Sequence, residues 1–76
     1  MVKPINKNDL FNIISDCTKI PLNKLGLSTK REDFNTWDSI ANIQIFVNLE
    51  EKTKKKISTS KIAELVSVKE IYDYFK

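Results

Sequence analysis

Leu10, Ile13, Ile14 and Cys17 fall at i, i+3, i+4 and i+7, with Phe11 beside them, which predicts an amphipathic helix over roughly Lys7 to Lys19. Asn6 or Asn8 supplies its N-cap, and Pro21 stops it, because the residue before a proline is pushed out of the helical region. From Ile20 to Asp38 no period is sustained, and the stretch is longer than an ordinary connection in a compact domain. Leu22, Leu25, Leu27, Phe34 and Trp37 are spaced along it as anchors that would pin a loop across a helical core. Gly26, the only glycine, is expected where the chain turns too closely for a side chain.

A second, longer helix is predicted from Ser39 to about Lys55, and apolar residues occupy most of its circumference. Gln44, Asn48, Glu51 and Lys55 form one narrow polar stripe, whereas Ile40, Ala41, Ile43, Ile45, Phe46, Val47 and Leu49 take up much of the rest. A small domain cannot bury all of that surface. The division expected is Ile45, Phe46 and Leu49 toward the core, with Ile40, Ile43 and Val47 as a partly exposed strip that begins beside Ser39. An apolar strip bordered by polar residues marks a protein-binding surface. Ser58, Thr59 and Ser60 then supply a turn and cap for a short helix containing Ile62, Ala63 and Leu65. Ser67 with Glu70 fits a capping box, and Val68, Ile71, Tyr72 and Phe75 repeat the i, i+3, i+4, i+7 template through a final helix.

Composition agrees with a folded helical domain spanning residues 1–76: 41% of residues are hydrophobic, and the prolines, Pro4 and Pro21, lie outside the periodic segments. A domain of this size buries only about 60% of the surface its unfolded chain exposes, which leaves no room for an enclosed active site beside a core. Cys17 has no cysteine to pair with and reads as a small buried hydrophobe on the first helix. No apolar run approaches the roughly 20 residues that span a bilayer, and the N-terminus lacks a signal-peptide core, so a cytoplasmic protein without membrane contact is expected.

The net charge of +3 comes mainly from Lys52, Lys54, Lys55 and Lys56, which read as a solvated helix end opposing the negative pole of the helix. Nucleic acid is not the expected partner, because no stacking aromatics interleave with these lysines and Arg31 is the only arginine. No Cys/His constellation suits zinc and no glycine-rich loop suits a nucleotide.

Asp38-Ser39-Ile40 stands where the irregular stretch gives way to the second helix. Both Asp and Ser accept bonds from free backbone N–H groups, and a carboxylate suits the positive helix end, so the pair reads first as an N-cap. Catalysis by Ser39 would need a base within reach, and a chain with no histidine offers only Asp38, too weak to activate an alcohol alone. Ser39 is placed to be modified rather than to catalyse.

The order of a first helix, a long anchored loop, Asp38-Ser39-Ile40, Leu49-Glu50-Glu51 near the end of the second helix, a short third helix and a capped fourth resembles the acyl carrier protein family from end to end. The segment with Ile57, Leu65, Ser67 and Val68 is part of that likeness, and Trp37 before the motif resembles carriers of specialised pathways. The resemblance implies an all-α, four-helix acyl-carrier-like bundle with a long loop between helices 1 and 2 and a short third helix. It also implies a monomer that is not itself an enzyme. A 4′-phosphopantetheine arm would be attached to Ser39, with Asp38 positioning the motif for a phosphopantetheinyl transferase that supplies Mg²⁺ and a base. Acyl intermediates would be held as thioesters, at high effective concentration, for acyl-loading and acyl-transfer enzymes that dock on Ile40, Ile43, Val47, Glu50 and Glu51.

Carriers of fatty-acid synthesis are usually acidic along this helix, whereas Ala41 and Gln44 stand here where acids would be expected. Dedicated partners and a non-housekeeping pathway follow from that departure. An aminoacyl or peptidyl carrier uses the same serine and scaffold and remains open. From another class, so does a small helical interaction or nucleic-acid-binding module in which Asp38-Ser39 is only a cap.

Overall fold

The computed structural model describes residues 2–76, which form four α-helices and no strand: α1 (Lys7–Thr18), α2 (Ser39–Thr53), α3 (Thr59–Glu64) and α4 (Val68–Phe75). The 3₁₀ turns Leu22–Lys24 and Arg31–Asp33 interrupt the connection from α1 to α2. Asn6, not Asn8, caps α1: its Oδ1 accepts the Asp9 N–H at 2.8 Å. Ser58 caps α3 through Lys61 N–H.

The two long helices pack on each other and end in the same way, without glycine. Thr18 Oγ1 donates to the Ile14 carbonyl at 2.6 Å and accepts the Ile20 N–H at 3.3 Å, while Lys19 turns into the left-handed region at φ 64°. Thr53 Oγ1 likewise donates to the Leu49 carbonyl at 2.6 Å and accepts the Lys55 N–H at 3.2 Å, with Lys54 at φ 61°. Each threonine is buried, and its hydroxyl gives an acceptor to the N–H two residues on, which joins the helix end to the chain that follows it. Lys19 therefore stops α1 before Pro21 is reached, and α2 ends at Thr53 rather than Lys55.

One apolar cluster joins the elements. Leu10 and Ile14 of α1, Ile45, Phe46 and Leu49 of α2, and Val68, Ile71 and Phe75 of α4 are almost completely buried, together with Ile5, Ile20, Trp37 and Leu65. The segment before α1 is tied down by Lys3 N–H to the Thr53 carbonyl at 2.7 Å and Ile5 N–H to the Phe75 carbonyl at 3.1 Å. Cys17 is only half-buried, and Asn48 Nδ2 donates to its Sγ at 3.4 Å. Burial pushes the Cys17 thiol above its ordinary pKa, against a smaller downward pull from Asn48, so it stays a neutral and weakly nucleophilic thiol at pH 7.

The long connection is held by backbone pairing as well as by side chains. Arg31 N–H donates to the Val66 carbonyl at 2.8 Å, Val68 N–H to Thr29 at 2.9 Å and Lys69 N–H to Leu27 at 3.0 Å. Two of these bonds satisfy first-turn donors of α4. Leu25, Leu27 and Phe34 pack against the core as anchors and Trp37 is buried, but Leu22 is 51% exposed and anchors nothing. Gly26 also departs from expectation: a Cβ there would meet open space, and its φ is not positive. Its N–H instead donates to Thr29 Oγ1 at 2.9 Å, closing a small loop that a longer side chain would not obstruct. At α4, Ser67 Oγ accepts the Glu70 N–H at 3.2 Å as predicted, but Glu70 Oε1 reaches the Val66 N–H and the Ser67 hydroxyl rather than the Ser67 N–H.

A left-handed non-glycine residue costs about 1–2 kcal/mol, more than the roughly 0.5–1 kcal/mol of extra chain entropy a glycine loses on folding. Lys19→Gly is therefore expected to stabilise the fold by about 0.5 kcal/mol or more in urea denaturation. A destabilised variant would show that the lysine side chain contributes more than its backbone geometry costs.

Candidate functional site

At the head of α2, Trp37, Ala41 and Asn42 are buried while Asp38, Ser39 and Ile40 are exposed. Asp38 is extended, at φ −88° and ψ −174°, and its Oδ1 folds back to accept the Ala41 N–H at 2.9 Å. On one side of it Trp37 is 3% exposed, and its indole Nε1–H donates to Asn42 Oδ1 at 3.0 Å. Asn42 is itself 5% exposed. With positions 37 and 42 held inside, Ser39 and Ile40 turn outward, and both are exposed. The capping work at this helix start is done by the Asp38 carboxylate, which suits the positive helix pole, and the Ser39 hydroxyl faces solvent.

The apolar residues of α2 divide as the pattern predicts. Ile45, Phe46 and Leu49 are 0–1% exposed, whereas Ile40, Ile43 and Val47 are 69%, 58% and 46% exposed. The second set forms an i, i+3, i+7 strip leading away from Ser39 along one helix face. At its far end Val47, Glu50, Glu51, Lys54 and Lys56 border an open hollow of about 320 Å³.

Glu50 and Glu51 are unlike in this setting. Glu51 is exposed, but Glu50 is half-buried and its Oε2 accepts the Ile57 N–H at 2.8 Å, tying the end of α2 to the turn before α3. The lysine cluster is also not uniformly solvated. Lys55 Nζ donates to the Tyr74 carbonyl and sits 4.1 Å from the Tyr74 ring centroid, so this lysine clamps α4 to the end of α2. Lys52 lies 3.6 Å from Asp9 on α1. Lys54 and Lys56 are exposed, with no ion pair among the described residues.

Sequence reasoning missed Asn42 as the buried partner of the tryptophan. Its signal is an amide in the middle of an apolar face, five residues after the only indole in the chain. Chemically, the site is an exposed primary alcohol beside a capping carboxylate, at the head of an apolar strip. It holds no base for self-activation, because the chain has no histidine and Asp38 Oδ1 is engaged on a backbone N–H. Among the described residues no three acidic, histidine or cysteine side chains gather as a metal site, and no helix is long and apolar enough to cross a membrane.

Trp37→Phe keeps most of the ring but leaves a buried amide oxygen without its donor, which costs about 1–3 kcal/mol. Chemical denaturation should report that loss, and the double variant Trp37→Phe/Asn42→Leu should recover part of it. On the outer face, Ile43→Glu is expected to leave the thermal midpoint nearly unchanged, whereas Leu49→Glu buries an unpaired charge and costs more than about 3 kcal/mol. The reverse ranking in thermal melts would contradict the observed division of α2.

No family model, no curated protein and no solved structure matches the chain.

Proposed function

We propose that this chain is an acyl carrier protein, which bears its cargo as a thioester on a 4′-phosphopantetheine arm attached to Ser39 Oγ. The observation that supports this reading most directly is the orientation at the head of α2, with Trp37 and Asn42 locked inside and Ser39 left in solvent. An arm on Ser39 needs no rearrangement of the core, because the capping bond belongs to Asp38 and the serine side chain is exposed. The residues present therefore fit the group. The order of four helices, with an anchored connection between the first two and a six-residue third helix, is in keeping with the acyl-carrier arrangement.

In the attachment step the Ser39 oxygen forms a bond to the pantetheine-bearing phosphorus of coenzyme A. The pyrophosphate P–O bond breaks, and adenosine 3′,5′-bisphosphate leaves. The hydroxyl proton passes to a base of the phosphopantetheinyl transferase, since none is available in this chain. Asp38 holds the helix start rigid while this happens, so the hydroxyl is presented from an ordered backbone. The arm, once attached, supplies the thiol on which an acyl group is carried. Ile40, Ile43 and Val47 then offer acyl-loading and acyl-transfer enzymes an apolar docking strip that starts beside the attachment point. The protein acts as a monomer and performs no chemistry itself.

Incubation with coenzyme A, Mg²⁺ and a broad-specificity phosphopantetheinyl transferase should raise the intact mass by one arm in the wild-type protein and leave Ser39→Ala unchanged. Ser39→Ala should melt as the wild type does, because Asp38 caps the helix. A folded wild-type protein that gains no mass would end the reading.

A further inference from the structure

We infer that Trp37 and Asn42 close the helical bundle to the cargo of the arm, so that the protein carries a short polar acyl group rather than a long alkyl chain, an inference that rests on the carrier reading of Ser39. A cargo anchored through Ser39 leaves water only by passing between α2 and its neighbours. The row of α2 that starts at Ser39 continues through Asn42, Phe46 and Glu50, at i+3, i+7 and i+11. What fills that row decides whether a chain is admitted.

Every position along it is already taken up. Asn42 is 5% exposed, and its Oδ1 accepts the N–H of the buried Trp37 indole. Phe46 is 1% exposed, with its ring centroid 6.2 Å from that of Phe75 on α4. Glu50 Oε2 accepts the Ile57 N–H, which ties the far end of the row to the turn before α3. Two hydrogen bonds accepted by α2 side chains thus stitch this flank to the long connection at one end and to the α3 turn at the other. A packed pair of aromatic rings lies between them.

A methylene chain brings no acceptor of its own. To pass Asn42 it would part the indole N–H from the amide oxygen and leave a buried donor unsatisfied. To settle beside Phe46 it would displace rings already in contact, in a domain too small to spare core. The outer strip Ile40, Ile43 and Val47 is a convex helix face, which would cover a chain on one side only. A short polar acyl group has little apolar surface to hide and requires neither step. Trp37 and Asn42 therefore select the cargo without touching the thioester.

Loading Ser39 by the transferase from acetyl-coenzyme A and from octanoyl-coenzyme A provides the test, with intact mass verifying each form. The two forms should melt within about 1 °C of each other, whereas a chain housed inside would lift the octanoyl midpoint by about 5 °C or more. The Trp37 indole N–H resonance and the amides of Ile45, Phe46 and Leu49 should coincide in the two forms. Trp37→Phe/Asn42→Ala removes the buried bond and opens room beside Ser39. In that background the octanoyl form should melt above the acetyl form and shift the Phe46 and Phe75 amides. A purely structural role for the pair would lower both forms alike and leave no difference between them.

A wild-type octanoyl form that melts several degrees higher, or that moves the Trp37 indole resonance, would overturn the inference. So would a rise accompanied by shifts at Ile43 and Val47, which would place the chain on the outer strip. Equal melting of the two loaded forms of the double variant would also overturn it, and if that variant does not fold, the wild-type melts decide alone. A protein that gains no mass from either donor ends the carrier reading, and the inference with it, before any melt is run, so the two failures are read separately.

Discussion

The buried hydrogen bond from the Trp37 indole to Asn42 Oδ1 is the constraint on which the exposed face depends. It joins the last residue of the long connection that is fully inside to the first turn of α2, and thereby fixes how that helix is rotated about its own axis. Once Asn42 points inward, Ile45, Phe46, Leu49 and Thr53 follow on the same side at helical spacing. Ile40, Ile43 and Val47 are then left facing solvent. A rotation of roughly one residue, about 100°, would bury Ser39 or the strip and expose part of the core. A polar pair inside an apolar interior is costly to leave unmade, so it enforces a single rotation more strictly than hydrophobic contacts alone.

Charge acts on the same scaffold in two capacities. Some ionic groups hold elements together: Glu50 on the Ile57 N–H, Lys55 on Tyr74, and Asp33 Oδ2 on the Lys30 N–H at 3.0 Å. Others are exposed pairs of little structural weight, such as Lys69 with Asp73 at 2.8 Å. That pairing raises the Lys69 pKa and lowers that of Asp73, in each case chiefly through their hydrogen bond. Its contribution would be present above the unfolded carboxylate pKa and lost as pH falls through the lowered folded value. Solvent screening keeps it small.

The helices and the partition of α2 were legible in the sequence because both rest on periodicity. Leu10 and Ile14, or Ile45 and Leu49, have to share a face wherever the backbone is helical, whatever packs against them. The caps at Asn6, Asp38, Ser58 and Ser67 were legible for a related reason, since their bonds are local. Helix ends were less so. Lys19 and Lys54 adopt left-handed geometry that glycine usually signals, and the buried threonine before each contributes without a recognisable pattern. The connection was read correctly at Leu25, Leu27, Phe34 and Trp37 but not at Leu22 or Gly26, because its path is set by backbone bonds to a helix far along the chain. Ser39 was visible as an exposed helix-start serine, but its release from capping depends on Asp38, and Asp38 is held where it is by neighbours on both sides.

The pairing of residues 27–31 with residues 66–69 also bears on the order of events as the chain folds. Three amide protons, those of Arg31, Val68 and Lys69, find acceptors only after a loop of more than thirty residues has closed around α2 and α3. Closure of a loop that long is entropically demanding and yields no return until α2 is already docked. These amides should accordingly become protected late and exchange with solvent together, as one cooperative unit separate from the α1 and α2 pair. The reach of the long connection and the start of the last helix would open and shut as a single latch.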